Sequence, residues 1–300
     1  MAALSLRDIS KAFGAAQVIE NLSLDLADRG VFGFIGKNGA GKTTTMKLIL
    51  GLLALDKGEI YVCGERVRYG ETPTNKYIGY LPDVPEFYGF MTAAEYLILC
   101  GKIRGLKAWE AKVRAEEALS FTGLEEAADR RIKGFSRGMK QRLGIAQALI
   151  HRPKILICDE PTSALDPAGR KEILDILAAL GNEATVLFSS HILGDVERIC
   201  QNITLIHKGK IVLSGSREEL KAKRGADGFE LEFSHDREAK AALNILSRSH
   251  SLQGSVLALA GDERDMAAAI ERLKTEEVFP RRAEMREPTL ESLFMEATAE

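Results

Sequence analysis

The sequence predicts an α/β protein: a parallel-sheet core interrupted by a helical insert and followed by a small α+β appendage. Three observations predict it. The apolar run "VFGFI" at 31–35 leads into "GKNGAGKT" at 36–43 and then into a segment of helical spacing. "KILICDEP" and "ATVLFSSH" are continuous apolar runs, the pattern of parallel strands buried on both faces. From about Pro85 to Leu149 the character is helical, and beyond roughly Arg217 the composition shifts again.

Taken in order, "ALSLRDIS" and "NLSLDLADRG" alternate apolar and polar residues as half-buried strands do. After the buried strand "VFGFI", Met46, Ile49, Leu50 and Leu53 give "TTTMKLILGLL" one apolar helical face that ends near Leu53. "GEIYVCGERV" alternates again and is expected to return the chain to the sheet. In the insert, "TAAE" at 92–95 is a capping box opening a helix through "YLILCGKIRG". "AWEAKVRAEEALSFTGL" makes a second, amphipathic helix, and Ser136 is a good N-cap for a third, "FSRGMKQRLGIAQALI".

"RKEILDILAAL" reads as a crossover helix between the two later buried strands. "ITLIHKGKIVLSG" reads as a hairpin turning at Lys208 and Gly209. In the appendage, "GFELEFS", "SVLALAG" and a segment near "VFPRRAEM" have strand character, while "REAKAALNILSRS" and "DMAAAIERLKTEE" have helical spacing. About 75 residues suffice there for a modest separate core. The expected domains are residues 1–220, with a helical subdomain at about 85–150, and residues 221–300.

Composition narrows the function. A net charge of -2 exerts no global pull on nucleic acid, so any anion binding must be local. No stretch approaches the ~18 apolar residues that span a bilayer. The start, "MAALSLRDISKAF", lacks the charged-then-apolar layout of a secretory signal. The expectation is a soluble chain that meets a membrane only through a partner. Cys63, Cys100, Cys158 and Cys200 are widely separated, form no metal-type pair, and read as buried free thiols in a reducing compartment.

The glycines of "GKNGAGKT" are where a strand should end and a helix begin. Their spacing matches the loop whose backbone N–H groups wrap nucleotide phosphates. Gly36, Asn38, Gly39, Gly41, Lys42, Thr43 and the following Thr44 are the candidate nucleotide contacts. Lys42 would reach the β- and γ-phosphates, and the Thr43 hydroxyl would ligate Mg²⁺. The plainer alternative is an ordinary glycine turn.

"ILICDEP" ends in two acids where a buried strand leaves the core. Asp159 is assigned to the metal, and Glu160 to orienting and deprotonating an attacking water. Two acids capping a strand end are the alternative. His191 follows "VLFSS" at the C-terminal end of a strand, where parallel sheets place their ligands. It would contact the γ-phosphate and sense its presence, against the alternative of a satisfied surface or core histidine. Ser136 and Gly138 open a helix whose positive end is an anion site. That helix belongs to the insert, so a second copy of the chain would supply the phosphate. By spacing alone, a plain capped helix is equally allowed.

Together these residues resemble the ATP-binding subunit of an ABC transporter over about residues 2–220, in the family's motif order. Walker A is "GKNGAGKT", the signature is "FSRGMKQ", Walker B is "ILICDE", the D-loop is "SALD" at 163–166, and "SSH" carries the switch histidine. The resemblance implies a P-loop NTPase core of the RecA-like kind with an N-terminal antiparallel β subdomain. It also implies ATP and Mg²⁺ as cofactors, and Phe13 as the aromatic that stacks on adenine. Asp83 stands where the family has glutamine, and its carboxylate offers a hard oxygen to the metal. Arg137 replaces the first signature glycine.

"EPTLESLFMEAT" at 287–298 is similar to the ending of ATPases that export drugs, bacteriocins and polysaccharides. A terminal amphipathic helix burying Leu290, Leu293, Phe294 and Ala297 is the plainer alternative; the two are compatible, and export is favoured. The family likeness implies an ATP-sandwiching dimer of two copies, a separately encoded transmembrane permease, no nucleic-acid partner, and a place on the cytoplasmic face of the cell membrane. The rival is a non-transport ABC ATPase acting on a ribosome or chromosome. Such translation factors carry two cassettes, whereas this chain has one Walker A, and the long heptads of chromosome proteins do not occur. A GTP switch would want N-K-x-D, which "TNKYI" at 74–78 does not supply.

Overall fold

In the computed structural model, which describes residues 2–71, 73–224, 228–246, 250–286 and 289–298, the alternating N-terminal segments pair with each other first. β1 (Leu4–Phe13) and β2 (Ala16–Leu26) form an antiparallel hairpin. β3 (Gly30–Ile35) then enters the core, and α1 (Lys42–Ile49) follows it. This helix stops before the expected Leu53. Gly51 adopts φ 68°, its N–H bonds Leu48 O, and Leu52 N–H bonds Lys47 O. That is a left-handed glycine cap, which ends a helix whatever apolar residues follow.

β4 (Lys57–Val62) and β5 (Glu65–Arg66) come from the single strand expected of "GEIYVCGERV". Cys63 and Gly64 both have positive φ, the two-residue turn that folds a strand back on itself. β4 pairs with β1 in a four-stranded sheet of order β2-β1-β4-β5, so this segment joins the antiparallel sheet and not the parallel one. Its location in the turn also leaves Cys63 only half-buried, as is Cys100, in contrast to the buried Cys158 and Cys200. Burial raises all four thiols above their ordinary value, so none is primed to react.

β6 (Ile78–Leu81) is a strand not foreseen from the sequence. Four residues are too few to show a period. The insert then contributes α2 (Ala93–Ile103), α3 (Ala108–Phe121) and α4 (Arg137–Leu149). α2 starts on the expected capping box of Thr92 and Glu95. Tyr96, Leu97, Leu119, Ile132, Phe135 and Leu143 close the insert's own core.

β7 (Ile155–Cys158), α5 (Pro167–Leu180), β8 (Thr185–Ser190), α6 (Leu193–Ile199), β9 (Asn202–His207) and β10 (Lys210–Ser216) complete the larger unit. The six-stranded sheet runs β10-β9-β3-β8-β7-β6, parallel except for the edge strand β10. β8 lies between β3 and β7, so the glycine loop and the acidic strand end are separated by one strand's width. Ile35 is in register with Ser190, and Cys158 with Phe188. The residues after all three strands therefore emerge at one edge of the sheet.

His151 ties the insert to this sheet, its Nε2–H donating to Ile78 O at 3.1 Å. Burial, aided by the Arg104 guanidinium, pushes its imidazole down from 6.5 to about 4. The unfolded chain takes up a proton below pH 6.5 that the folded chain refuses. Stability is thus complete above that pH and falls as pH drops toward the folded value. His151→Gln is expected to flatten the slope of unfolding free energy against pH between 6.5 and 4. Urea titrations across that window measure it, and an unchanged slope rejects the assignment.

Compact units divide the chain into Met1–Arg217 and Glu218–Glu300. After α7 (Arg217–Arg224), the smaller unit runs β11 (Phe229–Glu232), α8 (Asp236–Leu246), β12 (His250–Gln253), β13 (Val256–Leu259), α9 (Glu263–Thr275), β14 (Arg282–Met285) and α10 (Leu290–Ala297). Its sheet order is β12-β13-β11-β14, with every neighbour antiparallel. That is a split βαβ arrangement. Phe229, Leu231, Leu257 and Leu259 pack with Ala242, Leu246, Ala269 and Leu273 as its core. In α10, Leu290 and Leu293 are buried, while Phe294 and Ala297 are half-buried.

Candidate functional site

The glycine loop is shaped by close approach. A Cβ on Gly36 would lie 2.6 Å from Ile206 O, and one on Gly41 would lie 2.5 Å from Ile19 Cδ1. Gly41 also has φ 110°, which side-chain-bearing residues rarely adopt, and it is the N-cap of α1 with no side-chain cap bond. The first N–H groups of a helix have no partner within it. Those of Lys42, Thr43 and Thr44 are therefore offered outward, with the helix dipole adding positive potential. Asn38, Gly39 and Thr43 are exposed, and Thr44 is half-buried.

Lys42 is 6% exposed. Its Nζ donates to Gly36 O at 2.6 Å and Lys37 O at 3.4 Å, folding the side chain back over the loop. The same ammonium faces Glu160 Oε1 at 3.1 Å as an ion pair without hydrogen-bond alignment. Glu160 Oε2 accepts a bond from His191 Nδ1 at 2.8 Å. A carboxylate only accepts, so the proton sits on Nδ1. Each oxygen of Glu160 is thus engaged by a different strand end.

Ser189 closes the arrangement. Its Oγ donates to Asp159 Oδ1 at 2.8 Å and accepts the Glu160 N–H at 2.9 Å. Glu160 itself has φ 48°. A left-handed non-glycine residue costs about 1–3 kcal/mol and persists only where its surroundings over-determine it. Gln141, 1% exposed on α4, adds a further hold by donating from Nε2 to Pro161 O at 3.1 Å and Asp83 O at 3.2 Å. Neither Ser189 nor Gln141 stood out in the sequence as a site residue. The one signal was a pair of serines ending an otherwise apolar strand.

The remaining candidates lie apart. Phe13 is the last residue of β1, 49% exposed, with the Lys11 ammonium 5.4 Å from its ring centre. Ser136 caps α4 by accepting the Met139 N–H at 3.2 Å, and nothing lies within 4 Å of the Cβ position of Gly138. Among the described residues, no hydrogen bond or ion pair joins Ser136 or Gly138 to the glycine loop of the same chain. Arg137 is exposed. Asp83 lines a cavity of about 470 Å³ with Arg137, Lys140 and Gln141, and its Oδ1 is buried without a hydrogen-bond partner.

Thr43, Asp159 and Asp83 are hard oxygen donors of the kind Mg²⁺ takes. Among the described residues no cluster of three or more His, Cys, Asp or Glu can hold a metal.

Residues 19–163 match the ABC transporter family. An uncharacterized ABC transporter ATP-binding protein of Bacillus subtilis is 42% identical over 228 residues, 76% of each chain. The linearmycin resistance ATP-binding protein of the same organism is 34% identical over 304 residues, 98% of each chain. A Nod factor export ATP-binding protein of Paraburkholderia xenovorans is 34% identical over 77% of this chain and 76% of its own. Among solved structures, a subunit of a Clostridium perfringens ABC transporter complex superposes with a TM-score of 0.69 at 25% identity. It covers 74% of this chain and 92% of that one. With 42% identity to one such ATP-binding protein over three quarters of its length, and 34% to another over 98%, the chain belongs to the ABC transporter family as an ATP-binding, ATP-hydrolysing subunit.

Proposed function

We propose that this subunit drives an exporter by closing with a second copy around two ATP molecules. Lys42, Thr43 and the N–H groups of α1 in one copy hold the phosphates, and Phe13 stacks on adenine. Ser136 and Gly138 of the other copy complete the γ-phosphate site. The reading is carried by the start of α4, a capped helix end with open space at Gly138 and, among the described residues, no bond to its own chain's loop. Because the ligand lies in the interface, ATP binds the closed state preferentially and shifts the population toward it.

Within the closed site, Glu160 takes the proton from the attacking water, and His191 orients its carboxylate and contacts the γ-phosphate. Thr43, Asp159 and Asp83 would hold Mg²⁺, which would supply positive charge to the phosphate oxygens. Loss of the γ-phosphate removes the bridge and lets the copies part.

No described helix is long and apolar enough to cross a membrane. The family likeness assigns the substrate path to a separate permease. Val84, Tyr88 and Phe90 are 65%, 58% and 72% exposed within seven residues, beside the cavity that contains Asp83. A cluster of that kind marks a protein contact, and we assign it to the permease on the cytoplasmic face. Export is favoured over a ribosome or chromosome role by end-to-end similarity to a resistance protein and by the Nod factor relative.

Cysteines placed at Asn38 and at Arg137, in a chain freed of its four native cysteines and carrying Glu160→Gln, test the sandwich. Disulfide-linked dimers are expected with ATP and not with ADP. Failure to crosslink with trapped ATP would sink the proposal.

A further inference from the structure

Beyond the residues that face nucleotide, we infer that Asp195 is a positioning residue for hydrolysis, setting the Glu160 carboxylate through its buried bond to Thr162. The inference rests on Glu160 being the general base. Thr162 is 0% exposed and Asp195 4%, and Thr162 Oγ1 donates to Asp195 Oδ2 at 2.7 Å. The other carboxylate oxygen, Oδ1, has Arg170 Nε at 3.8 Å.

A buried carboxylate is costly to keep unless its bonds serve a purpose. The segment it grips is strained at both ends: Glu160 has φ 48° and Ala164 has φ 50°, both left-handed and neither glycine. Thr162 lies midway between them. Asp195 sits on α6, the helix that begins just after His191, and His191 bonds Glu160 Oε2 at 2.8 Å. One short stretch of chain therefore holds the turn at two points, His191 at the carboxylate and Asp195 two residues beyond it. With only the first, the turn beyond Glu160 is held by backbone bonds alone. With both, the carboxylate's direction follows α6.

Gln141 and Ser189 also hold this turn, by bonds to the backbone of Pro161 and Glu160, and Ser189 bonds the Asp159 carboxylate at its entry. Thr162–Asp195 is the side-chain tie that links it to α6, the helix that follows the histidine.

The test is steady-state ATPase of the full-length chain with Thr162→Val, which swaps a hydroxyl for a methyl of nearly equal size. Misplacing a reacting group costs rate and not binding, so kcat is expected to fall about tenfold or more with KM for ATP within about twofold of wild type. Thr162→Ser, which restores the donor, is expected to return kcat to near wild type. A tie that only stabilises the fold would lower the melting temperature and leave kcat of the folded fraction intact, and that result overturns the inference. So does a raised KM at unchanged kcat. If Thr162→Val does not fold, Asp195→Ala, which removes the acceptor of the Thr162 hydroxyl, is read the same way. Glu160→Gln runs in parallel. Full activity there rejects the base assignment itself, whereas an inactive Glu160→Gln beside an active Thr162→Val rejects only the role of Asp195.

Discussion

Glu160→Gln is expected to lower kcat by roughly 10²–10⁴, the usual contribution of a positioned general base. The amide is nearly the same size, and its oxygen can still accept from His191 Nδ1. What it loses is the negative charge facing Lys42 at 3.1 Å and the capacity to accept a proton. Binding of ATP should therefore survive while turnover does not, and the variant should accumulate as an ATP-bound dimer. Size-exclusion chromatography with ATP, combined with a phosphate-release assay, reads both properties at once. Wild-type turnover in this variant would remove Glu160 from its assigned role.

Lys42→Met is expected to act at the preceding step. An ammonium bonded to phosphate contributes about 1.5–3 kcal/mol, so ATP affinity should fall roughly 10- to 100-fold. The loss is not only of contacts to ligand. Glu160, whose side chain is 13% exposed, would be left with His191 alone as a facing donor. Methionine keeps the apolar stem that packs in this 6%-exposed position, so the fold should persist. Nucleotide affinity measured by fluorescence or calorimetry checks it, and an unchanged Kd would separate Lys42 from the phosphates. The two variants differ in kind, one losing chemistry and the other grip.

Much of the larger unit was legible because its signals are local. A phosphate loop must present consecutive backbone N–H groups, so its residues are contiguous from Gly36 to Thr44. Buried parallel strands such as Ile155–Cys158 and Thr185–Ser190 are uniformly apolar, and the Thr92 cap lies three residues from its Glu95 partner. Misreadings arose where a single glycine outvoted a pattern. Gly51 cut α1 short of Leu53, and Gly64 with Cys63 folded one expected strand into two. The short elements β6, β12 and α6 were missed because four to seven residues give too little periodicity to read.

By itself the sequence determined which residues can take part: the loop glycines and lysine, two acids ending a strand, a histidine after two serines, and a capped helix in an insert. Only the tertiary structure decided how they face one another. The strand order β3-β8-β7 brings Lys42 and His191 within 3.1 Å of the two carboxylate oxygens of Glu160, Lys42 from more than a hundred residues away in the chain. The same order puts Ser189 between Asp159 and the Glu160 N–H, and lets α6 reach Thr162. Those contacts join strands and helices that are remote in sequence, and side-chain periodicity reports which face of an element is buried, never which other element buries it.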